Sequence, residues 1–284
     1  MIQSIGVAGA GTMGSGIALA AATKHFNVIL FDTDAAVIAK ARAAIQKNLD
    51  FLIGRNKIDQ SAGEIIFKKI QFTTHLPDCK ADIIIEAIVE NIAAKKDLFQ
   101  QLLQHNDADC IFASNTSSLS ITEIQTGLMN AGNVVGMHFF NPAQVMKLVE
   151  VVQGEHTDEA VAQTILELCH LLGKTPVLCK DKPGFIVNRV ARQYYLEAMK
   201  LVESGHAEME DVDTIMESLG FKMGPFKLMD LIGIDINLAV STSLYNAMEN
   251  PVRLQPSSLQ VEKVSKGNLG KKTGKGFYTY DSPL

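Results

Sequence analysis

Three glycines near the start of the chain constrain its fold more than any other feature. Gly9, Gly11 and Gly14 form a GxGxxG pattern in the stretch SIGVAGAGTMGSGIALA, which begins as an apolar strand and continues as an alanine-rich helix. In this context the first glycine permits a tight turn, the second lets the backbone approach a pyrophosphate, and the third allows the helix to pack against the strand. The start of the helix would present unpaired N–H groups to the phosphates. We therefore predict a dinucleotide-binding fold.

An acidic residue ends the second predicted strand. In the stretch NVILFD, Asp32 lies eighteen residues after Gly14 and is followed by Thr33 and Asp34 instead of an arginine. A carboxylate at this place accepts hydrogen bonds from the ribose hydroxyls and repels a 2′-phosphate, so NAD is predicted and NADP is less favoured. The alternative is that Asp32 only caps the next helix.

Short β-rich runs alternate with helical segments through the first part of the chain. The predicted strands are Ser4–Ala8, Val28–Phe31, one starting at Gln71, Ile83–Glu86, Cys110–Ala113, Val134–Phe139, Leu148–Val152 and Val177–Cys179. Ala35 to Ile70 reads as two helices interrupted near Gly54–Asp59, which predicts an insertion at about residues 35–70. The predicted fold class is α/β, with a Rossmann-type mostly parallel sheet and a helical-pair insertion, followed by an all-α C-terminal domain.

The character of the sequence changes after Asp181. Pro183 and Gly184 interrupt the pattern, and apolar residues then recur at helical spacing. We predict an NAD-binding domain over residues 1–182 and an all-helical domain over residues 183–284. The second domain is predicted to contain the helices Glu210–Leu219, Lys227–Met248 and Ser257–Lys266, and a short strand at Phe277–Tyr280.

Two ionisable residues lie within apolar runs that predict buried strands. His138 is part of VVGMHFF and Glu150 is part of LVEVV. A lone buried carboxylate is costly, and pairing Glu150 with Nδ1 of His138 would reduce that cost. The pairing would also fix the imidazole tautomer and leave Nε2 facing a cleft, where it could accept a proton from a hydroxyl group. The alternative is a hydrogen-bonded core histidine and a glutamate that reaches solvent at a strand end.

Two polar residues are predicted to lie near the same cleft. Ser117 follows a strand in FASNTSSLSI, at the carboxyl edge of the sheet where open α/β sheets bind ligands. Asn188 lies in KPGFIVNRV, near the start of the first helix of the second domain. Ser117 could instead be a helix N-cap, and Asn188 could cap or bridge helices.

Composition excludes several classes of function. The formal net charge of −5 argues against a nucleic-acid or membrane partner, which would favour a basic surface. The four cysteines lack metal-site spacing, so no metal is predicted. The chain enters an apolar strand at Ile5 without a basic segment or cleavage site, and its longest apolar stretch is too short to span a membrane. We expect a cytoplasmic protein.

These pieces together resemble the 3-hydroxyacyl-CoA dehydrogenase family, in particular its short-chain 3-hydroxybutyryl-CoA members. The matching stretches are GAGTMG, IIEAIVEN, FASNTSSLSI, HFFNPAQVMKLVEVV, KDKPGFIVNR, MGPFKLMDLIGID and GKKTGKGFY. The resemblance implies reversible, NAD-dependent oxidation of an (S)-3-hydroxyacyl-CoA to the 3-ketoacyl-CoA. It also implies a homodimer formed mainly through the helical domain.

The resemblance also assigns roles to individual residues. His138 is implied to be the general base and Glu150 to orient it, while Ser117 and Asn188 hydrogen-bond the substrate oxygens. The positions that match dinucleotide contacts are Gly9, Gly11, Gly14, Asp32, Glu90, Lys95, Asn141 and Lys272. In the helical insertion, Asn48 and Arg55 match contacts with CoA.

The chain departs from the family pattern at two places. Gln144 stands where relatives usually have proline, which restores a backbone donor and is expected to loosen the loop between His138 and Glu150. Phe221 and Lys222 stand where relatives often have other residues, which bears on the fit of the acyl tail. Two other functions remain open: a related dehydrogenase of free hydroxy acids or sugar acids, and a dinucleotide-binding structural or regulatory protein without turnover.

Overall fold

A computed structural model describes residues 2–281 of the chain. The chain divides between Lys182 and Pro183 into two compact units. The first unit contains the predicted sheet with its covering helices, and the second unit is helical. The predicted fold class is therefore confirmed.

The first unit is built around a sheet of eight strands in the order β3-β2-β1-β4-β5-β6-β7-β8. The strands are β1 Ser4–Ala8, β2 Asn27–Phe31, β3 Ile70–Thr73, β4 Ile83–Glu86, β5 Ile111–Ser114, β6 Val134–Phe139, β7 Leu148–Gln153 and β8 Thr175–Lys180. All neighbours are parallel except β6 and β7. Because the strand order reverses beside β1, the ligand crevice of such a sheet lies at the carboxyl ends of β1 and β4.

Six α-helices lie within residues 2–182 of the first unit. They are α1 Thr12–Thr23, α2 Ala35–Gly54, α3 Gln60–Lys68, α4 Ile92–Leu103, α5 Ile121–Gln125 and α6 Glu159–Leu171. The predicted helical pair is α2 and α3, and the side chains of Asp34 and Asp59 cap their N termini by accepting backbone N–H groups. Ala41, Ile45 and Leu49 recur at helical spacing and bury one face of α2 in the core of the unit.

Between residues 183 and 281, the second unit contains five α-helices around a core of its own. They are α7 Val187–Glu203, α8 Met209–Ser218, α9 Pro225–Ile232, α10 Ile234–Ala247 and α11 Ser258–Ser265. The prediction of one helix over Lys227–Met248 was wrong, since α9 and α10 meet at Gly233 with a bend of 100°. Gly233 has φ +104°, a left-handed conformation that interrupts a helix and that glycine adopts without strain.

The predicted strand at Phe277–Tyr280 was also wrong, because this segment forms only isolated bridges. The buried carboxylate of Asp230 accepts the backbone N–H groups of Phe277 and Tyr278 at 2.8 and 2.9 Å. These donors are therefore used by a side chain instead of a neighbouring strand. Within residues 2–281, no helix is by itself long and apolar enough to cross a membrane, although the bent pair α9–α10 meets the length and composition criteria together.

Candidate active site

The three glycines of the first motif form a cradle between β1 and α1. Gly9 has φ +105°, and a Cβ on Gly14 would lie 1.7 Å from the carbonyl oxygen of Gly9, so both positions require glycine. A Cβ on Gly11 would instead meet no atom within 4 Å, which leaves open space beside the start of α1. No side chain caps this helix, so the N–H groups of its first turn are available to an anion. The cradle therefore fits a pyrophosphate.

Asp32 joins the end of β2 to this cradle. Its carboxylate accepts the backbone N–H groups of Ala10 at 2.8 Å and Asp34 at 3.0 Å. The N-cap of α2 is Asp34, whose side chain accepts the N–H of Ala36. Asp32 is thus not the capping residue of that helix, and its carboxylate lies beside the Gly-rich turn.

The histidine and glutamate in the apolar runs face each other on adjacent strands. His138 in β6 and Glu150 in β7 are register partners, and Nδ1 of His138 lies 2.8 Å from Oε2 of Glu150. The two residues are 6% and 1% exposed. Because antiparallel partners project to the same face of a sheet, the strand register itself brings the two side chains together. A buried carboxylate at Nδ1 favours the Nδ1–H tautomer and leaves Nε2 as the proton acceptor.

The loop after β5 lies beside the end of β6. Oδ1 of Asn115 accepts the N–H of Phe139, the residue after His138, at 2.9 Å. Ser117 follows in this loop, and the N-cap of α5 is Ser120, which accepts the N–H of Glu123 at 3.1 Å. The alternative that Ser117 caps this helix is therefore wrong. Asn115 and Ser117 lie at the same edge of the sheet as the histidine–glutamate pair.

A buried ionic cluster lies beneath this loop. The Lys95 ammonium, 1% exposed, contacts Oε1 of Glu86 at 2.6 Å and Oε2 of Glu90 at 3.2 Å. Glu86 is fully buried and also accepts the hydroxyl of Ser114 at 2.6 Å. Sequence analysis missed Glu86, although a carboxylate at the end of the apolar run IIIE carries the same signal that identified Glu150.

The loop between β6 and β7 is fixed by a lysine that sequence analysis also missed. Lys174 is 7% exposed, and its ammonium donates to the carbonyl oxygens of Ala143 at 2.6 Å and Met146 at 2.8 Å. Burial lowers the pKa of Lys174. Gln144 in the same loop donates its amide to Oδ1 of Asn48 in α2 at 3.4 Å. These contacts hold the loop that separates His138 from Glu150 in the chain.

A cavity of about 450 Å³ lies between the cradle, the insertion and this loop. Its lining includes Gly11, Lys40, Asn48, Asn141 and Gln144. The cavity has three amides, one ammonium and the open side of the cradle along its walls, which suits a polar, anionic ligand. Arg55, just after α2, is exposed, and its guanidinium lies 5.4 Å from the ring centre of Phe51.

Three predicted positions lie in the second unit. Asn188 is half-buried in the first turn of α7. The Lys272 ammonium donates to Oδ2 of Asp235 at 2.7 Å. Phe221, one of the departures from the family pattern, stacks on Tyr194 with ring centres 5.0 Å apart.

The four cysteines are buried. Burial raises the pKa of the thiols of Cys79, Cys110, Cys169 and Cys179 to about 12, so they stay protonated near neutral pH. Across residues 2–281, no group of three or more His, Cys, Asp or Glu side chains is arranged to hold a metal ion. The first unit instead holds buried pairs of ionisable side chains, among them His138 with Glu150 and Lys95 with Glu86.

Models of one protein family match both parts of the chain. Residues 4–182 match the 3-hydroxyacyl-CoA dehydrogenase NAD binding domain, and residues 184–280 match the 3-hydroxyacyl-CoA dehydrogenase C-terminal domain. The chain belongs to the 3-hydroxyacyl-CoA dehydrogenase family. The resemblance stated from the sequence motifs is therefore confirmed.

Named relatives of this family are similar along the whole chain. The 3-hydroxyadipyl-CoA dehydrogenase of Escherichia coli (strain K12) is 43% identical over 281 residues, covering 98% of this chain and 59% of that longer protein. The probable 3-hydroxybutyryl-CoA dehydrogenase of Deinococcus radiodurans is 41% identical, with 98% of this chain and 100% of the relative covered. The crystal structure of (S)-3-hydroxybutyryl-CoA dehydrogenase from Ralstonia eutropha has a TM-score of 0.95 at 37% identity, covering 99% of this chain and 100% of that one. The 3-hydroxyacyl-CoA dehydrogenase similarity thus extends through both units.

Proposed function

We propose that this 3-hydroxyacyl-CoA dehydrogenase family member reversibly oxidises short-chain (S)-3-hydroxyacyl-CoA to 3-ketoacyl-CoA with NAD, and that 3-hydroxybutyryl-CoA is its substrate. The observation that carries the proposal is the buried pair of His138 and Glu150, 2.8 Å apart at the ligand edge of a sheet that begins with a dinucleotide cradle. A base beside a nucleotide site is what the oxidation of an alcohol requires.

In the proposed reaction, Nε2 of His138 accepts the proton of the substrate's 3-hydroxyl group. NAD held at the cradle of Gly9, Gly11 and Gly14 would supply the acceptor for the hydride that leaves the same carbon, so that a C=O bond forms. Glu150 holds the imidazole through Nδ1 and stabilises the positive charge that the ring gains. In the reverse direction the same Nε2–H returns its proton to the 3-keto oxygen.

We propose that Ser117 and Asn188 hydrogen-bond substrate oxygens. The position of Ser117 in the loop next to Phe139 supports its part, and the family resemblance supports that of Asn188. Donors at these oxygens stabilise the charge that develops on the 3-oxygen while the proton and hydride move.

We propose that NAD is preferred to NADP, because the Asp32 carboxylate lies beside the Gly-rich turn and would repel a 2′-phosphate. Replacing Asp32 by alanine should raise the ratio of kcat/KM for NADPH to that for NADH by about tenfold or more. An unchanged ratio would assign the preference to other residues. The other proposed dinucleotide contacts are Gly9, Gly11, Gly14, Asn141 and Lys272. The resemblance also implies contacts by Glu90 and Lys95, but these two side chains are paired with each other.

We propose that the cavity beside the cradle holds part of the CoA moiety. Asn48 and Lys40 line it, and Arg55 follows α2 nearby in the chain. A phosphorylated, amide-rich ligand matches these side chains in a protein whose net charge is negative. A free hydroxy acid has no group to fill this cavity, so the cavity favours a CoA thioester as the substrate.

We also propose a cytoplasmic homodimer formed through the second unit. Leu231, Ile232 and Ile236 leave apolar side chains 43%, 39% and 50% exposed around the bend between α9 and α10. Apolar side chains grouped in this way are typical of an oligomer interface. Light scattering should give the mass of a dimer, and Leu231→Glu should shift it to that of a monomer. A monomeric mass for the unsubstituted protein would contradict this part of the proposal.

One assay tests the proposed activity. Purified protein is mixed with NADH and either acetoacetyl-CoA or free acetoacetate, and nicotinamide absorbance is followed. Turnover with the CoA thioester alone is expected. Turnover with the free acid would favour the hydroxy-acid dehydrogenase, and NADH binding without turnover would favour a non-catalytic protein. A 3-ketoadipyl-CoA arm is included because an E. coli relative bears the name 3-hydroxyadipyl-CoA dehydrogenase. Faster turnover of that thioester would overturn the short-chain assignment.

A further inference from the structure

The Glu90 carboxylate is surrounded by donors from the loop that carries Ser117. Its Oε1 atom lies within hydrogen-bond distance of five donors in residues 116–118. They are Thr116 Oγ1 at 2.6 Å, Ser117 N at 2.9 Å, Ser118 Oγ at 3.1 Å, Ser118 N at 3.2 Å and Ser117 Oγ at 3.3 Å. Burial by itself would raise the pKa of Glu90, but the Lys95 ammonium and the Thr116 and Ser117 donors hold it below the usual value. Glu90 is therefore an anionic anchor for this loop.

More donors surround Oε1 than one carboxylate oxygen can accept at full strength. Thr116 Oγ1 and the Ser117 N–H make the two shortest bonds, and the Ser117 hydroxyl makes the longest. Glu90 can therefore keep the backbone of Ser117 fixed while the Ser117 hydroxyl turns to another acceptor at little cost. A residue that must exchange hydrogen bonds with a substrate needs this combination of a fixed backbone and a replaceable side-chain bond.

Two buried charged residues in turn hold Glu90. The Lys95 ammonium lies between Oε2 of Glu90 and Oε1 of Glu86, at 3.2 and 2.6 Å. Glu86 is fixed by the N–H of Ile88 at 2.7 Å and the hydroxyl of Ser114 at 2.6 Å. Lys95 is 1% exposed, so its charge is directed at the two carboxylates and hardly at solvent.

We propose that Glu90 is a positioning residue for Ser117, and that Lys95 and Glu86 are positioning residues for Glu90. This inference rests on the proposed function, in which the Ser117 hydroxyl contacts a substrate oxygen. It differs from a direct contact between Glu90 or Lys95 and the dinucleotide, which the family resemblance implies. The two roles predict different effects on NADH binding.

Glu90→Gln is a small change in shape that the cluster cannot accommodate. Oε1 accepts the backbone N–H groups of Ser117 and Ser118, and Oε2 faces the Lys95 ammonium, so each oxygen faces a donor that cannot accept a hydrogen bond. Whichever way the amide is turned, its NH2 group opposes a donor. Glu217→Gln is the matched control, because Glu217 accepts a lysine ammonium and a backbone N–H in the second unit and has no part in the proposed chemistry.

The test is a double-mutant cycle with Ser117→Ala. The kcat and KM for acetoacetyl-CoA and the NADH dissociation constant, from nicotinamide fluorescence, are measured for each protein. Glu90→Gln should lower kcat/KM about 10- to 100-fold and change the NADH dissociation constant less than about threefold. In the Ser117→Ala background, the same substitution should lower kcat/KM by less than about threefold. Glu217→Gln should leave both constants at their unsubstituted values.

Equal losses in the two backgrounds would overturn the positioning role, as would an NADH dissociation constant that rises by the factor lost in kcat/KM. An unsubstituted protein that binds NADH without reducing acetoacetyl-CoA would overturn the proposed function and this inference together, before any substitution is made.

If circular dichroism shows that Glu90→Gln does not fold, Thr116→Val replaces it. This variant removes the 2.6 Å hydroxyl bond without changing charge. With Ser117 present, Thr116→Val should lower kcat/KM about threefold or more, and in the Ser117→Ala background it should have no such effect. An equal loss of kcat/KM in the two backgrounds would contradict the proposal.

Discussion

Replacing Glu150 by glutamine tests the proposed acid–base chemistry most directly. The substitution keeps the size of the side chain and leaves an amide oxygen that can still accept the Nδ1–H of His138. It removes the negative charge that lies 2.8 Å from the ring and is 1% exposed. The variant should therefore fold and bind NADH, because Glu150 does not belong to the cradle.

The expected loss can be worked out from the distance. Two unit charges 2.8 Å apart attract each other by about 6 kcal/mol at an effective dielectric constant of about 20, which is an upper limit. The amide dipole and relaxation of the loop recover part of this, so we expect a loss of about 3 kcal/mol in the state where the imidazole carries the proton. At about 1.4 kcal/mol for each factor of ten, kcat should fall roughly 100-fold.

The assay follows NADH oxidation by acetoacetyl-CoA and, separately, NADH binding by fluorescence. Glu155→Gln serves as the control, because Glu155 is an exposed carboxylate just after the same strand and should be changed without loss. His138→Ala should lower kcat at least as much as Glu150→Gln, since it removes the base itself. A kcat within about threefold of the unsubstituted value in either variant would refute the reasoning, as would a parallel loss of NADH binding.

Three further results are expected. Gly11→Ala should keep the melting temperature within about 2 °C while weakening NADH binding about tenfold or more, whereas Gly14→Ala should destabilise the fold, because its Cβ would lie 1.7 Å from a carbonyl oxygen. Equal melting temperatures for the Gly11→Ala and Gly14→Ala variants would contradict this expectation. The lowered pKa of Glu90 means that its ionised form stabilises the folded state above its ordinary value of 4.5, and that this stabilisation disappears as the pH falls through the folded-state pKa. Urea unfolding should therefore show the difference between the unsubstituted protein and Glu90→Gln shrinking from pH 7 to pH 3, and a constant difference would exclude this linkage. Cys79 and Cys110 should resist iodoacetamide in the folded protein at pH 7.5, because burial raises their pKa to about 12; rapid labelling seen by mass spectrometry would contradict that burial.

Two places show how local patterns misled prediction. Lys227–Met248 is apolar at helical spacing throughout, yet the helix breaks at Gly233, where φ is +104°. Phe277–Tyr280 has the composition of a strand, but the carboxylate of Asp230, 47 residues earlier, takes the N–H of Phe277. In both cases a conformation or contact set by packing overrides a preference of the local sequence.

The sequence by itself determined the cradle, the succession of strands and helices, and the two ionisable residues in apolar runs. These features depend on short spacings, because turn glycines, strand alternation and helical periodicity involve residues close together in the chain. The register of β6 and β7, which places Nδ1 of His138 2.8 Å from Glu150, was decided by the antiparallel pairing. The cluster of Glu86, Lys95 and Glu90 beneath the Ser117 loop was also decided only by the tertiary structure. Its members come from β4, the connection after it and α4, and a buried charge finds its partners only when the packing of the sheet excludes water around them.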